Sequence, residues 1–189
     1  MTIEKQWTRR FPRRLRRPVG VTVLLTLLAF SIVTDRLFIQ PRLAPLPPKV
    51  DAIIELGGAG VMGRDRLAIQ LARDQRASYL VQSTVIPEAG TSRCLPGAPN
   101  VTVLCFHAEP NTTRGEAHYI AEEAARRHWR SVVLVTTPDQ AWRARLRVVR
   151  CFDGEVYVVT SHLAVLDWLR QIPYQWAATV KALVFERSC

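Results

Sequence analysis

What the chain has little of narrows its chemistry. Its 189 residues hold four cysteines with no Cys-x-x-Cys pair, and four histidines, His107, His118, His128 and His162, that never fall at ligand spacing. Zinc sites are built from such closely spaced ligands, so no metal site is expected. There is no Gly-x-x-x-x-Gly-Lys-Ser/Thr phosphate loop, and Ser83 does not sit in a Gly-x-Ser-x-Gly elbow, so neither a P-loop enzyme nor a serine hydrolase is read. The histidines also lack an evident nucleophile partner. Internal repeats and low-complexity tracts are missing. From Gln40 onward the charge is nearly balanced, eighteen basic residues against fourteen acidic, although the whole chain carries a formal +10. That part of the chain has no need of a nucleic acid or other polyanion partner.

The surplus of positive charge lies at the start. Six arginines crowd Arg9 to Arg17, and an apolar run from Val19 to Val33 follows at once. A bilayer core takes about 20 apolar residues, roughly 17 at the low end. The run is short by that measure, but Leu37-Phe38-Ile39 extends it, Asp35 and Arg36 can neutralise one another, and Arg36 can snorkel to the far headgroups. An uncleaved transmembrane anchor over residues 19–39 is expected. The alternatives are a cleaved signal, for which Ala29-Phe30-Ser31 offers small residues, and an amphipathic arm. Lys and Arg stay on the cytoplasmic side, so the basic tail, residues 1–18, sets topology and the rest lies outside the cytoplasm. Disulfides are permitted there. Cys94 and Cys105 can close a loop, and Cys151 and Cys189 can tie the last elements together. Four cysteines allow three pairings, and spacing does not choose.

Residues 40–49, with Pro41, Pro45, Pro47 and Pro48, read as an extended, semi-rigid linker between membrane and domain. From residue 50 to 189 the pattern alternates. Strands are expected at Asp51–Leu56, Tyr79–Val85, Val101–Phe106, Ser131–Thr136 and Glu155–Thr160. Helices are expected at Arg64–Arg76, with Leu67, Ala68, Leu71 and Ala72 on one face, and at Asn111–Arg127, with Thr112 or Thr113 as cap and Ile120, Ala121, Ala124 and Ala125 inward. A basic helix follows at Asp139–Arg150, and a last helical stretch from Leu163 to about Phe185 is interrupted at Pro173. Between the second and third strands lies a loop with Pro87, Gly90, Pro96, Gly97 and Pro99. The Ser-Val-Val-Leu-Val-Thr run is continuously apolar, as in a strand covered on both faces. Such alternation defines an α/β, Rossmann-like three-layer sandwich with a mainly parallel sheet of about five strands.

In such sheets a ligand sits beyond the carboxyl ends of the strands. That rule selects Gly57 to Gly60, Ser83 and Thr84, Glu109 to Thr113, Thr136 to Gln140, and Thr160 to His162. The run Gly57-Gly58-Ala59-Gly60 is read as a tight strand-to-helix turn whose backbone N–H groups can approach an anion, not as a dinucleotide fingerprint. Thr113 and Glu116 form a capping box at a helix start, which leaves Asn111, Thr112 and Arg114 free for an anion. Arg143, Arg145, Arg147 and Arg150 are too closely spaced to share one helical face. Most are expected in solvent or against anionic headgroups, with Arg143 turned back to the sheet edge, where it could hold a phosphate bidentately.

At these residues the chain resembles the YdcF-like family, in particular its membrane-anchored SanA/ElyC-like branch and its actinobacterial members. The likeness covers roughly Val50 to Val159. It rests on Ala52 to Gly60, on Arg64 and Arg66, on Glu109 with Asn111-Thr112-Thr113-Arg114-Gly115-Glu116, on Val133 to Thr137, and on Arg143-Ala144. It implies a Rossmann-like fold, an envelope role tied to peptidoglycan or lipid carriers, and nucleotide-like ligands such as S-adenosylmethionine. The implied ligand-binding set is Gly57, Gly58, Arg64, Glu109, Asn111, Thr112, Thr113, Glu116, Thr136, Thr137, Gln140 and Arg143. Two positions depart from the pattern. Gln82-Ser83-Thr84 stands where the family often has Ser-Gly-Gly, and Gln140 stands where it often has a His. Binding is therefore expected without a general-acid histidine, and no cofactor is assigned. The expected partners are the lipid bilayer and an anionic envelope intermediate, with a lipid-linked pyrophosphate favoured. The competing expectation is a non-catalytic scaffold that meets a protein through Trp142, Trp168, Tyr174 and Trp176.

Overall fold

The structure, a computed structural model, describes residues 13–58, 61–84 and 94–189, apart from the side chains at 13–18 and 61–62. Ala59, Gly60, Val85, Pro87 and Gly90, and the first twelve residues, lie outside the described residues. Helix α1 (Arg13–Thr34) runs into a π-helical turn (Asp35–Ile39). Then come β1 (Ala52–Glu55), α2 (Val61–Arg73), β2 (Tyr79–Ser83), β3 (Thr102–Phe106), α3 (Thr113–Arg127), β4 (Ser131–Thr136), α4 (Pro138–Val148), β5 (Glu155–Thr160) and α5 (Val165–Val180). A second π-helical turn, Lys181–Phe185, follows α5.

All five strands are parallel, in the order β3-β2-β1-β4-β5. The chain builds outward from β1 to β3, then returns to lay β4 on the other side of β1. The strand order thus reverses between β1 and β4. The expected α/β, Rossmann-like sandwich is the fold observed.

The two faces of the sheet carry separate cores. Ile53, Leu80, Val133 and Val135 face α2, where Ala68, Leu71 and Ala72 are buried as the period of that helix predicts. Ile54, Val81, Leu134 and Val158 face α3 and α4. From Val132 to Thr136 every residue of β4 is buried, which explains why its sequence does not alternate. On α3 the buried line is Thr113, Glu116, Ala117, Ile120 and Ala124, while Ala125 is exposed. Alanines on both sides of that helix carry too little contrast to mark the face from sequence.

The expected break at Pro173 does not occur, for α5 runs through it. Proline removes one hydrogen bond and crowds the carbonyl four residues back. Here both Pro173 and Leu169 are exposed, so no buried polar group is orphaned.

Residues 19–39 form a helix long and apolar enough to cross a membrane. Arg36 and Asp35 pair at 3.9 Å near its end. Phe38 is fully buried against the domain, so contact with the domain begins before the proline-rich stretch. That stretch forms no helix or strand and lies along the domain. Arg76 Nη2 donates to the Pro47 carbonyl at 2.6 Å, and Leu46 packs against the α2-side core. The disulfides are Cys94–Cys105 and Cys151–Cys189, one of the three pairings open from sequence.

Candidate functional site

Where the strand order reverses, a cleft of about 650 Å³ opens at the carboxyl ends of the strands. It is walled by the turn after β1, the start of α3, the start of α4 and one side of α5. A somewhat larger cavity, about 790 Å³, lies around Trp129, Ser131, Phe152 and Gly154, at the amino ends of β4 and β5. The cleft is the candidate site because it sits at the switch point and gathers the convergent polar groups.

The β1 turn is held from behind. Arg64 is completely buried and donates to the carbonyls of Leu56 and Gly58. It fixes the turn and does not line the cleft. Gly58 has φ +122, a conformation that favours glycine, and a Cβ there would meet Gln140 and Arg64. The Gly57 N–H is already engaged: it donates to Glu116 Oε1 at 2.6 Å.

That contact takes Glu116 out of the expected capping box. Of the two caps expected for α3, Thr112 is the one observed: its Oγ1 accepts from Gly115 N at 3.3 Å. Glu116 instead reaches across to β1, because the helix start faces the sheet and not solvent. Gly115 is required there, since a Cβ would collide with the Pro110 carbonyl. Burial pushes the Glu116 carboxyl above its ordinary value, while the Gly57 N–H, Ser83, Arg64 and Arg143 pull against that rise.

Thr113, the first residue of α3, joins three elements. Its hydroxyl accepts from Gln140 Nε2 at 3.3 Å and from Arg143 Nη1 at 3.0 Å. Gln140 Oε1 in turn accepts from the Thr136 hydroxyl at 3.2 Å. Gln140, at the position where a histidine was sought, therefore ties the end of β4 to the start of α3.

Arg143 is 7% exposed and turns to the sheet edge as expected. Its Nε donates to Gln175 Oε1 at 2.9 Å, and its guanidinium lies 6.0 Å from the Tyr174 ring. Burial pushes this guanidinium down from its ordinary value, with Tyr174 and Glu116 opposing. No carboxylate of a described residue lies within 4 Å of it. Its Nε and Nη1 serve Gln175 and Thr113, which leaves three of its five N–H groups, one on Nη1 and two on Nη2, without a hydrogen-bond partner among the described residues.

Two of the other arginines correct a second expectation. Arg147 is buried and pairs with Glu186, and Arg150 donates to the carbonyls of Ala182 and Glu186, both at 2.8 Å. Arg145 Nε donates to the Val156 carbonyl at 3.3 Å. Arg147 and Arg150 bind the chain's own C-terminal segment, whereas Arg145 stays exposed beside β5, as expected. A basic helix read in isolation gives no sign of the segment that folds back on it.

Asn111, Thr112, Thr113, Glu116, Thr137, Gln140, Arg143, Gly57 and Gly58 all line the cleft. Thr136 lies beneath it, and Glu109 is exposed away from it, ahead of a cis peptide to Pro110. Asp139 lies in the Thr136 to Gln140 stretch that the carboxyl-end rule selects; sequence reasoning missed the whole contribution of α5. Asp139 is buried at the first turn of α4; its Oδ2 accepts from Gln175 Nε2 at 2.8 Å, and its Oδ1 has no partner. Asp167, Arg170, Gln171, Tyr174 and Gln175 close the far wall from α5. The α5 residues carried no signal of this kind.

One missed signal was in plain view. Gly58, Gly60 and Gly63 have the Gly-x-Gly-x-x-Gly spacing of a dinucleotide fingerprint, between a strand and a helix, which corrects the plain-turn reading. The acidic residue that such sites place at the end of the second strand is missing: β2 ends Gln82-Ser83, followed by Thr84. The part present is the part that approaches phosphate.

No protein-family model, curated protein or solved structure matches this chain.

Proposed function

We propose that this chain is a membrane-anchored domain, held outside the cytoplasm, that binds a phosphate-bearing ligand in the switch-point cleft. The YdcF-like resemblance suggests an envelope role, and a lipid-linked pyrophosphate is the favoured ligand because an anchor at residues 19–39 would confine the domain to the surface where such carriers sit. The observation that carries the reading is Arg143. Its hydrogen-bond partners are neutral and the carboxyls of Glu116 and Asp139 reach it only through space, so a phosphate at the cleft would give the guanidinium a direct anionic partner. Glu116, held toward its neutral form by burial, opposes an anion less than an ordinary carboxylate would.

The glycine spacing at Gly58, Gly60 and Gly63 favours a second reading, a free nucleotide in the same cleft. Both are tested by thermal melting of the full chain in detergent with inorganic pyrophosphate, a short polyprenyl pyrophosphate and nucleoside diphosphates. A ligand at a hundred times its dissociation constant adds about 2.7 kcal/mol, or roughly 5–10 °C in a chain of this size. A rise with the pyrophosphates that disappears in Arg143→Ala supports the first reading. A rise with nucleotides only transfers the site to the second. No rise with any of them would remove the anion-site proposal. The topology is tested separately: a reporter fused after Cys189 should be active only outside the cytoplasm.

A further inference from the structure

Helix α5 leaves a line of apolar residues without a partner. Leu166, Leu169, Pro173, Ala177 and Val180 recur at intervals of three and four, and all are exposed. Leu166 is 80% exposed and Leu169 77%, far beyond what a folded α/β domain leaves on a helix that packs only on itself. Val184, in the turn that follows, continues the line. The opposite side of the same helix is polar. Asp167, Arg170, Gln171 and Gln175 face the cleft.

This helix also touches the anchor. Trp176 stacks on Phe30 of α1, with ring centroids 5.1 Å apart, and packs edge-on against Phe38 at 5.3 Å. Its Nε1 donates to Thr34 Oγ1 at 3.2 Å. Phe38 is buried in the domain, so the lipid-facing part of the anchor ends near Thr34. Phe30 lies four residues deeper, about 6 Å at the rise of an α-helix. Interfacial amphipathic helices sink about 5–10 Å past the headgroup boundary.

We propose that α5 lies in the outer-leaflet interface beside the anchor, its apolar line in the acyl region and its polar side forming the floor of the cleft mouth. The inference rests on the reading of residues 19–39 as a membrane span. The occupant of the apolar face is the bilayer, because the face is continuous, through Trp176 and Phe30, with a helix whose exposed Leu24, Leu27, Leu28 and Val33 require the same solvent. A ligand then enters the cleft from the plane of the membrane. Arg170, exposed at the mouth, stands at the level of lipid phosphates.

The test uses the full chain in nanodiscs of phosphatidylcholine and phosphatidylglycerol doped with a phospholipid carrying a diazirine in its acyl chain. After illumination, labelled peptides are mapped by mass spectrometry. Labelling is expected both in 19–34 and in 165–185. In Leu166→Asp/Leu169→Asp the 165–185 labelling should fall severalfold while that of 19–34 holds and the melting point in detergent stays unchanged. Labelling confined to 19–34 would overturn the inference and leave the anchor standing. No labelling of either segment would remove the membrane reading itself. In discs holding several chains, a disulfide between two copies of Leu169→Cys would assign the face to a second copy and also overturn it.

Discussion

Two arginines one turn apart on α4 are both buried and have opposite surroundings. Arg147 meets the carboxylate of Glu186 and donates to its carbonyl at 2.7 Å. Arg143 meets a glutamine and a threonine. A buried charge with a carboxylate partner is a structural element. One hydrogen-bonded only to neutral groups, with Glu116 and Asp139 acting on it only through space, is open to a direct anionic partner. Residue type and burial are the same in the two cases, so partner chemistry alone separates strap from site.

The comparison can be broken most severely at Arg147. Arg147→Ala removes the buried one of the two cations on Glu186, leaving Lys181 at 3.0 Å, and loosens the C-terminal segment; losing the hydrogen bonds of a charged group costs about 2 kcal/mol. That corresponds to roughly 4–8 °C in a thermal melt. Arg143→Ala, which strands no carboxylate, should cost much less stability. Equal losses in both variants would erase the distinction between them.

A second variant sharpens it with an acid that is spared ionisation. Burial, together with the neighbouring Asp65 carboxyl, pushes Glu55 up to about 9. Glu55 Oε2 and Asp65 Oδ1 are both buried without a donor, which a proton held on Glu55 would supply. A carboxyl whose folded value is raised stabilises the fold at low pH, and that contribution is lost as pH climbs from the ordinary carboxyl range through about 9. In that window the fold should lose about 1.4 kcal/mol per pH unit from this group. Glu55→Gln, neutral at every pH, should flatten the decline when melting points are compared between pH 5 and pH 9. An unchanged slope would mean Glu55 ionises normally.

The smallest effect is expected at Arg170, the exposed arginine of the cleft mouth. Exposed charges contribute about 0.2–1 kcal/mol. Arg170→Ala should weaken pyrophosphate binding roughly two- to fivefold, more at low salt than at high, as titration calorimetry would read it. A loss as large as that of Arg143→Ala would move the anion site outward.

Much of the fold was legible along the chain. The unbroken apolar run at Ser131–Thr136 is local information, and so are the glycine turn after β1 and the period of α2. The strand ends named the cleft before any coordinates, because the carboxyl-end rule needs only element order. The capping box at Thr113 and Glu116 failed because a carboxyl three residues into a helix reads the same whether it caps its own helix or crosses to β1. Arg147 and Arg150 failed for a related reason: their partners lie more than thirty residues away, in a segment with no periodic signal.

By itself, then, the sequence determined the parallel α/β class, a helix long enough to span a membrane, and the turns where a ligand could sit. Those follow from hydrophobic period, from the length of an apolar run and from glycine's backbone freedom, all properties of neighbouring residues. Only the tertiary structure decided which arginine has no carboxylate in direct contact, that Glu116 occupies the Gly57 N–H, and that α5 closes the cleft while resting on the anchor. These depend on which distant groups share a buried volume, where an unpaired charge is costly and a hydrogen bond, once made, excludes another.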